Sequence, residues 1–171
     1  MMNKVERHKY RKENDEWVIS ETRSLEFEPY SYTTTNVDYV MKTIKSHLTT
    51  KMLGTKYREE AKTNPLRGHC YHSVQAMYYL IDTNKLISMR GPDCFDDWHW
   101  WLQDEKKILD ITADQYYNIG RVPPYKDGKN SNWTGWKFRP QQKSLDLMKL
   151  VLGEKNYVEK IEKFETWPWK L

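Results

Sequence analysis

The sequence predicts an α+β fold in which a central helix packs on an antiparallel sheet, with outer helices from both ends of the chain. Residues 70–81 carry a wide apolar stripe at helical spacing, which is typical of a largely buried helix. The runs at 98–102 and 108–112 have the alternation and aromatic content of a β-hairpin. Further helical patterns follow Asn36 and precede Gly153.

Length and composition favour one globular domain. A chain of 171 residues fits a single domain, or a domain with an arm, and can bury a core without disulfides. Aromatic residues make up 14% of the chain, which argues against general disorder. We interpret residues 1–35 as an N-terminal arm or short strands, and 36–171 as a single catalytic-type domain.

The expected compartment is the cytoplasm. No stretch reaches the roughly 18 apolar residues of a membrane span, and the charged N-terminus has no signal-peptide pattern. Two cysteines in such a chain favour a reducing compartment. The net charge of +4 is small against the number of charged side chains, so it permits a nucleic-acid partner without implying one.

The elements follow in order along the chain. The first helix is predicted to start at Asn36 as N-cap and to end before Gly54, and the charged segment 55–62 to be exposed. The second helix carries Cys70 in its first turn. A short strand at 86–89 and a turn at 91–94 lead into the hairpin. A long loop at 113–143 precedes two helical patterns, 144–152 and 154–165.

Cys70 is the candidate nucleophile. A thiol in the first turn of a helix meets the positive end of the helix dipole and unpaired backbone N–H groups, and both favour the reactive thiolate. Gly68, just before it, allows the backbone of a substrate to approach closely.

The hairpin offers a base and a residue to orient it. A two-residue turn at Asp104-Glu105 would place His99 directly opposite Asp110, with both side chains on the face that also carries Trp101. A slip of one residue would send Asp110 to the other face. If the His99 face packs on the start of the Cys70 helix, a Cys-His-Asp triad results.

These residues resemble the transglutaminase-like superfamily of papain-like cysteine enzymes. The resemblance covers residues 64–116 and rests on Gly68-His69-Cys70, His99-Trp100-Trp101 and Leu109-Asp110-Ile111-Thr112. Trp100 and Ile111 stand where these families usually have a small residue and a proline. Gly68-His69-Cys70-Tyr71 and residues 109–115 are also similar to small tailed-phage proteins of unassigned function.

The resemblance implies a papain-like fold and a cysteine hydrolase or acyltransferase acting on an amide, isopeptide or thioester, either small or within a protein. Cys70 would attack the carbonyl, His99 would exchange the proton, and Asp110 would orient His99. No cofactor, metal or membrane partner is expected. A phage origin would place the protein in the host cytoplasm.

The expected substrate-binding residues surround this triad, and Gln115 is also a candidate oxyanion donor. They are Gly68, His69, Trp101, Gln115, Tyr116 and Trp136. His72 is expected on the helix surface, and Cys94 to have no catalytic role.

Two other functions remain open on the sequence alone. The chain could be an inactive papain-like protein that binds a host protein, with an inert Cys70 and a groove blocked by loop 113–143. Less favoured is nucleic-acid binding through tryptophans and basic residues, since Lys and Arg alternate with acidic residues nearly everywhere.

Overall fold

The structure is a computed structural model that describes residues 4–26, 30–83, 85–131 and 140–153. The helix predicted at 154–165 and Trp136 lie outside these residues. The helices are α1 (Thr34–Ser46), α2 (Thr55–Glu60), α3 (Cys70–Leu80), α4 (Asp114–Tyr117) and α5 (Gln142–Leu152). The strands are β1 (Lys4–Glu13), β2 (Glu16–Glu26), β3 (Tyr30–Ser31), β4 (Ile81–Asp82), β5 (Ile87–Pro92), β6 (Trp98–Gln103), β7 (Ile108–Leu109) and β8 (Lys129–Asn130).

The α+β class is confirmed. A four-stranded antiparallel sheet has the order β7-β6-β5-β8, and α3 contacts its central strand β6 as well as α1 and α5. In the described ranges, no helix has the length and apolar character needed to cross a membrane.

Strands β1 and β2 form a long antiparallel hairpin. Asn14 and Asp15 at its tip both have positive φ angles, 48° and 66°, as a type I′ turn requires. Such a turn twists in the same sense as its strands, so a polar segment can pair over its whole length. The region expected to be an N-terminal arm or short strands thus contains strands of 10 and 11 residues.

Helix α3 is the centre of the core, as predicted. Nine of its eleven residues are buried, including polar Ser73 and Gln75. The Gln75 side-chain oxygen accepts hydrogen bonds from the Gln141 backbone N–H (2.8 Å) and the Ser144 hydroxyl (2.7 Å). These bonds tie the start of α5 to α3, so α5 begins at Gln142 and not at the predicted Ser144.

Helix α1 has different ends from those predicted. Thr33 is the N-cap, and its hydroxyl accepts a hydrogen bond from the Asn36 backbone N–H. The Asn36 side chain instead donates to the Ser31 carbonyl. At the other end α1 stops at His47, and a 3₁₀ turn over Thr50–Met52 precedes α2.

The β6–β7 turn is longer than predicted. Leu102 pairs with Leu109, where a two-residue turn would have paired it with Lys107, so the register is shifted by two residues. Asp104 stabilises the longer turn because its carboxylate accepts the backbone N–H groups of Lys106 (2.7 Å) and Lys107 (2.8 Å). His99 is therefore not directly opposite Asp110. An even shift, however, keeps each side chain on its predicted face.

The two faces of β6 have different coverings. Trp100 and Leu102 belong to the core that α3 fills, and the Tyr71 ring of α3 packs edge-on against Trp100. His99 and Trp101 alternate to the other face. Helix α3 thus packs mainly on the Trp100 face, while Cys70 at its start also interacts with His99. Cys70 reaches the start of β6, where its sulfur lies 3.7 Å from the Trp98 carbonyl oxygen.

Candidate active site

Cys70 is the first residue of α3, and the start of this helix has no side-chain cap. The N-cap residue His69 has a helical backbone and makes no capping hydrogen bond with its side chain. The first N–H groups of a helix have no partner within it, and they mark the positive end of its dipole. The backbone around Cys70 is therefore suited to stabilise negative charge at the sulfur or at a nearby oxygen.

His99 and Asp110 form a buried ion pair. His99 Nε2 lies 2.6 Å from Asp110 Oδ2, with the imidazole fully buried and the carboxylate nearly so. Two further donors hold the carboxylate: the Tyr125 hydroxyl on Oδ2 (2.8 Å) and the Thr112 backbone N–H on Oδ1 (3.1 Å). Asp110 is thus fixed from three directions, and it fixes the plane of the imidazole in turn.

The charge of His99 is controlled by its neighbours. Burial alone would lower the pKa of His99, but hydrogen bonding and charge from Asp110 and Cys70 outweigh burial and raise this pKa to about 9. Asp110 occupies Nε2, which leaves Nδ1 for the thiol. Apart from this interaction with Cys70, Nδ1 has no hydrogen-bond partner among the described residues, and the thiol also lies in reach of the Trp98 carbonyl. Transfer of the thiol proton to Nδ1 would produce a thiolate–imidazolium pair.

Two aromatic rings hold the imidazole in place. Trp101 stacks on His99 with 5.8 Å between ring centroids, and Tyr116 meets it edge-on at 4.7 Å. A side chain on Gly128 would come within 2.4 Å of the Trp101 ring, so this loop packs closely against the indole. Trp101 and Tyr116 are both fully buried. Their predicted substrate contact is corrected to packing around His99.

Gln115 does not serve as the predicted oxyanion donor in this structure. Its side-chain nitrogen donates to both the carbonyl (3.1 Å) and the hydroxyl (3.0 Å) of Thr112. Its backbone carbonyl accepts a hydrogen bond from the buried Asn64 side chain. Gln115 therefore anchors α4 behind Asp110.

His69 is also an internal residue. Its Nδ1 lies 2.9 Å from His72 Nε2, and both rings are buried, so His69 offers no surface to a substrate and His72 is not on the helix surface. Burial, followed by the charge of Lys143, lowers the pKa of His69 to about 4. Burial, with the charges of His69 and Lys143, lowers the pKa of His72 to about 3. Both histidines are neutral at pH 7.

Gly68 meets a tight steric requirement before the helix. Its φ angle is +86°, and a β-carbon there would lie 2.6 Å from the Tyr57 ring. The residue thus permits the close approach of Tyr57, while its predicted contact with a substrate backbone stays a prediction.

A buried charge cluster that the sequence reasoning missed holds the loop before β6. Arg67 is almost fully buried, with Asp93 at 3.6 Å, Asp97 at 3.3 Å and Glu60 at 2.6 Å. Asp93 also accepts the Tyr116 hydroxyl (2.7 Å), which connects this loop to the ring beside His99. The Asp93 carboxylate further accepts two backbone N–H groups of its own turn. A Pro-Asp turn followed by two more acidic residues was the available sequence signal.

A cleft of about 220 Å³ opens at Cys70. It lies on the Trp98 and Trp100 side of β6, and its described walls contain no residue from 113–131. The lining residues are Tyr57, Arg67, Gly68, Cys70, Tyr71, Arg90, Asp97, Trp98 and Trp100. Cys94, by contrast, is exposed and lines no part of this cleft.

Comparison with protein-family models, curated proteins and solved structures finds no match to this chain. The superfamily resemblance thus stays a prediction that rests on the residues around Cys70, His99 and Asp110.

Proposed function

We propose that the protein is a cysteine-dependent hydrolase or acyltransferase of papain-like type that acts on an amide, isopeptide or thioester. The main support is the arrangement of three residues. Cys70 stands at an uncapped helix N-terminus and interacts with His99, and the far nitrogen of His99 lies 2.6 Å from the buried Asp110 carboxylate. Asp110 and Cys70 together raise the pKa of His99. This order of nucleophile, base and orienting residue is what acyl transfer requires.

The first half of the reaction forms an acyl-enzyme. In the thiolate–imidazolium pair the Cys70 thiol proton rests on His99 Nδ1, and the thiolate sulfur attacks the substrate carbonyl carbon. The carbonyl oxygen becomes an oxyanion, to which the backbone N–H of Cys70 at the start of α3 can donate. The carbon–nitrogen or carbon–sulfur bond then breaks, and His99 returns the proton to the leaving amine or thiol.

The second half transfers the acyl group from sulfur. His99 takes a proton from water or from an amine, which attacks the thioester and regenerates the Cys70 thiolate after collapse of the second tetrahedral intermediate. Water gives a peptidase or amidase, and an amine gives a transglutaminase-like transferase. The triad serves both, because either acceptor needs the same base.

The first test is site-resolved alkylation. The native protein is treated with iodoacetamide at pH 6, and the rates at Cys70 and the exposed Cys94 are read separately by mass spectrometry. We expect Cys70 to react faster than Cys94, since the imidazolium of His99 stabilises its thiolate. His99→Ala should slow Cys70 by at least about tenfold and leave Cys94 unchanged.

Inert Cys70 alongside normally reacting Cys94 would refute the catalytic proposal and favour a non-catalytic binding protein. With an activated Cys70, a panel of amides, isopeptides and thioesters follows. Cys70→Ala should abolish turnover while retaining the fold, judged by its circular dichroism and unfolding midpoint.

A further inference from the structure

Arg90 is a cation in the wall of the Cys70 cleft. It lies on β5 directly opposite Trp100 of β6, so its side chain shares the Trp98–Trp100 face of the sheet. Its guanidinium carbon lies 4.5 Å from the ring centroid of Trp98 and 5.7 Å from that of Trp100. In these cation–π contacts the face of the guanidinium packs on the indole rings. Its N–H groups, which point outward in the plane of the guanidinium, stay available as donors.

No carboxylate neutralises Arg90 in the described part of the chain, and none of its side-chain N–H groups makes a hydrogen bond there. The contrast with Arg67 in the same cleft is clear, since three carboxylates lie within 4 Å of that guanidinium. Asp97, the acidic residue of the cleft wall, already accepts bonds from Lys56 (3.0 Å) and Tyr57 (2.6 Å). The Asp97 carboxylate is therefore paired with other groups and does not neutralise Arg90.

A second cation stands beside Arg90. Lys129 of β8 is the direct cross-strand partner of Arg90, so the two side chains lie on the same face. Like charges directly opposite each other destabilise a strand pair unless an anion separates them. Lys129 is exposed and forms no ion pair with a described residue. The pair is thus a cationic edge to the cleft whose counter-ion the described chain does not supply.

We infer that Arg90, flanked by Lys129, is an anion-binding subsite. It binds a carboxylate or phosphate group that the substrate carries near the carbonyl that Cys70 attacks. This inference rests on the proposed function and names its substrate class: acidic acyl compounds, such as a peptide with an acidic side chain beside the scissile bond. The cleft of about 220 Å³ is smaller than common ligand pockets of roughly 300–1,000 Å³, which fits one side chain or one phosphate.

The subsite can be tested with two small alkylating reagents of the same shape and different charge. Iodoacetate carries a carboxylate and iodoacetamide is neutral; in both reactions a sulfur–carbon bond forms, and iodide leaves. The rate ratio of iodoacetate to iodoacetamide at Cys70 is divided by the same ratio at Cys94, which removes the intrinsic reactivity difference. We expect this double ratio to be about ten in the native protein because the cation attracts the anionic reagent.

Arg90→Met should bring the double ratio close to one, and Arg90→Lys should retain part of it. Arg121→Met is the matched control, because it removes one exposed arginine that does not line the cleft and should leave the ratio unchanged. A native double ratio near one, or an equal loss in both methionine variants, would overturn the subsite. Failure of the proposed function would differ, since Cys70 would then react with neither reagent.

Binding in the absence of chemistry separates the two sources of the anion. Glutarate and inorganic phosphate are titrated by calorimetry into Cys70→Ala and into Cys70→Ala with Arg90→Met. Binding of glutarate that needs Arg90 identifies a carboxylate subsite, and binding of phosphate that needs Arg90 identifies a phosphate subsite. If neither anion binds Cys70→Ala, or if binding survives the loss of Arg90, the inference is wrong.

Discussion

At His99, one buried carboxylate decides whether the imidazole is charged. Asp110 supplies both a 2.6 Å hydrogen bond and a negative charge to a ring that burial alone would keep neutral. Without that charge, the desolvation of the imidazolium has less to oppose it. The pKa of His99 therefore reports on the Asp110 interaction together with the contribution of Cys70.

We predict that Asp110→Asn lowers the pKa of His99 from its value of about 9, because burial, which lowers this pKa, then has less to oppose it. Alkylation of Cys70 at pH 7 should fall with it, because neutral His99 no longer stabilises the thiolate. NMR titration of the His99 ring measures the pKa. Asp114→Asn, which changes an exposed carboxylate paired with Lys45, is the control and should leave His99 unaffected. An unchanged pKa in Asp110→Asn would contradict the assigned role of Asp110.

At the scale of elements, the turn before α3 positions Cys70, the proposed nucleophile. Gly68 combines a positive φ angle with close packing against Tyr57, whereas Gly120 has a positive φ angle of +70° and nothing within 4 Å of an added β-carbon. Both glycines therefore need a positive φ angle, but only Gly68 also packs against another side chain, that of Tyr57.

We predict that Gly120→Ala costs about 1–2 kcal/mol of unfolding free energy, from the left-handed backbone alone. Gly68→Ala should cost a further 1–3 kcal/mol or so, since the new methyl group must displace the Tyr57 ring. Urea unfolding of both variants gives the difference. Equal losses in the two variants would show that the Tyr57 contact carries no energy.

The sequence predicted the sheet faces better than the sheet register. Alternation along β6 separates His99 from Trp100 whatever the turn, so the face assignment depends only on the parity of the pairing. The register itself depends on Asp104 accepting two N–H groups of a four-residue turn. No apolar pattern reports such a local side-chain bond, and that is why the two-residue turn was wrong.

The positions of Cys70 and His99 in their elements could be predicted because the signals are local, whereas the surrounding residues depend on long-range packing. A helix start at Cys70 and strand alternation at His99 can be read within a few residues. Whether Tyr116 faces a substrate or His99 depends on its bond to Asp93, which is 23 residues away in the chain. Tyr125 donates to the Asp110 carboxylate from 15 residues away, and no local pattern marks it for that contact.

For the whole molecule, buried histidines set the pH range of stability from both sides. His99 has a raised pKa, so its contribution is complete below pH 6.5 and is lost as the pH rises through about 9. His69 and His72 have lowered pKa values, so the folded state opposes their protonation below pH 6.5. Stability should therefore be greatest near pH 6.5.

We predict that unfolding free energy falls as the pH drops from 6.5 towards 4, at up to about 1.4 kcal/mol per pH unit for each proton that the unfolded chain alone takes up. His72→Gln removes one of these protons, so the slope of unfolding free energy against pH below 6.5 should fall by the contribution of about one proton. His47→Gln, outside the core cluster, should leave this slope unchanged. Urea unfolding at half-unit pH steps measures both slopes. Burial alone would raise the pKa of Asp97, but hydrogen bonds from Tyr57 and Lys56 outweigh burial and lower this pKa to about 2. The titration of Asp97 therefore changes the stability only below pH 3.8, outside this window. If the slope of unfolding free energy below pH 6.5 is the same in the native protein and in His72→Gln, groups other than the buried histidine pair cause the loss of stability in acid.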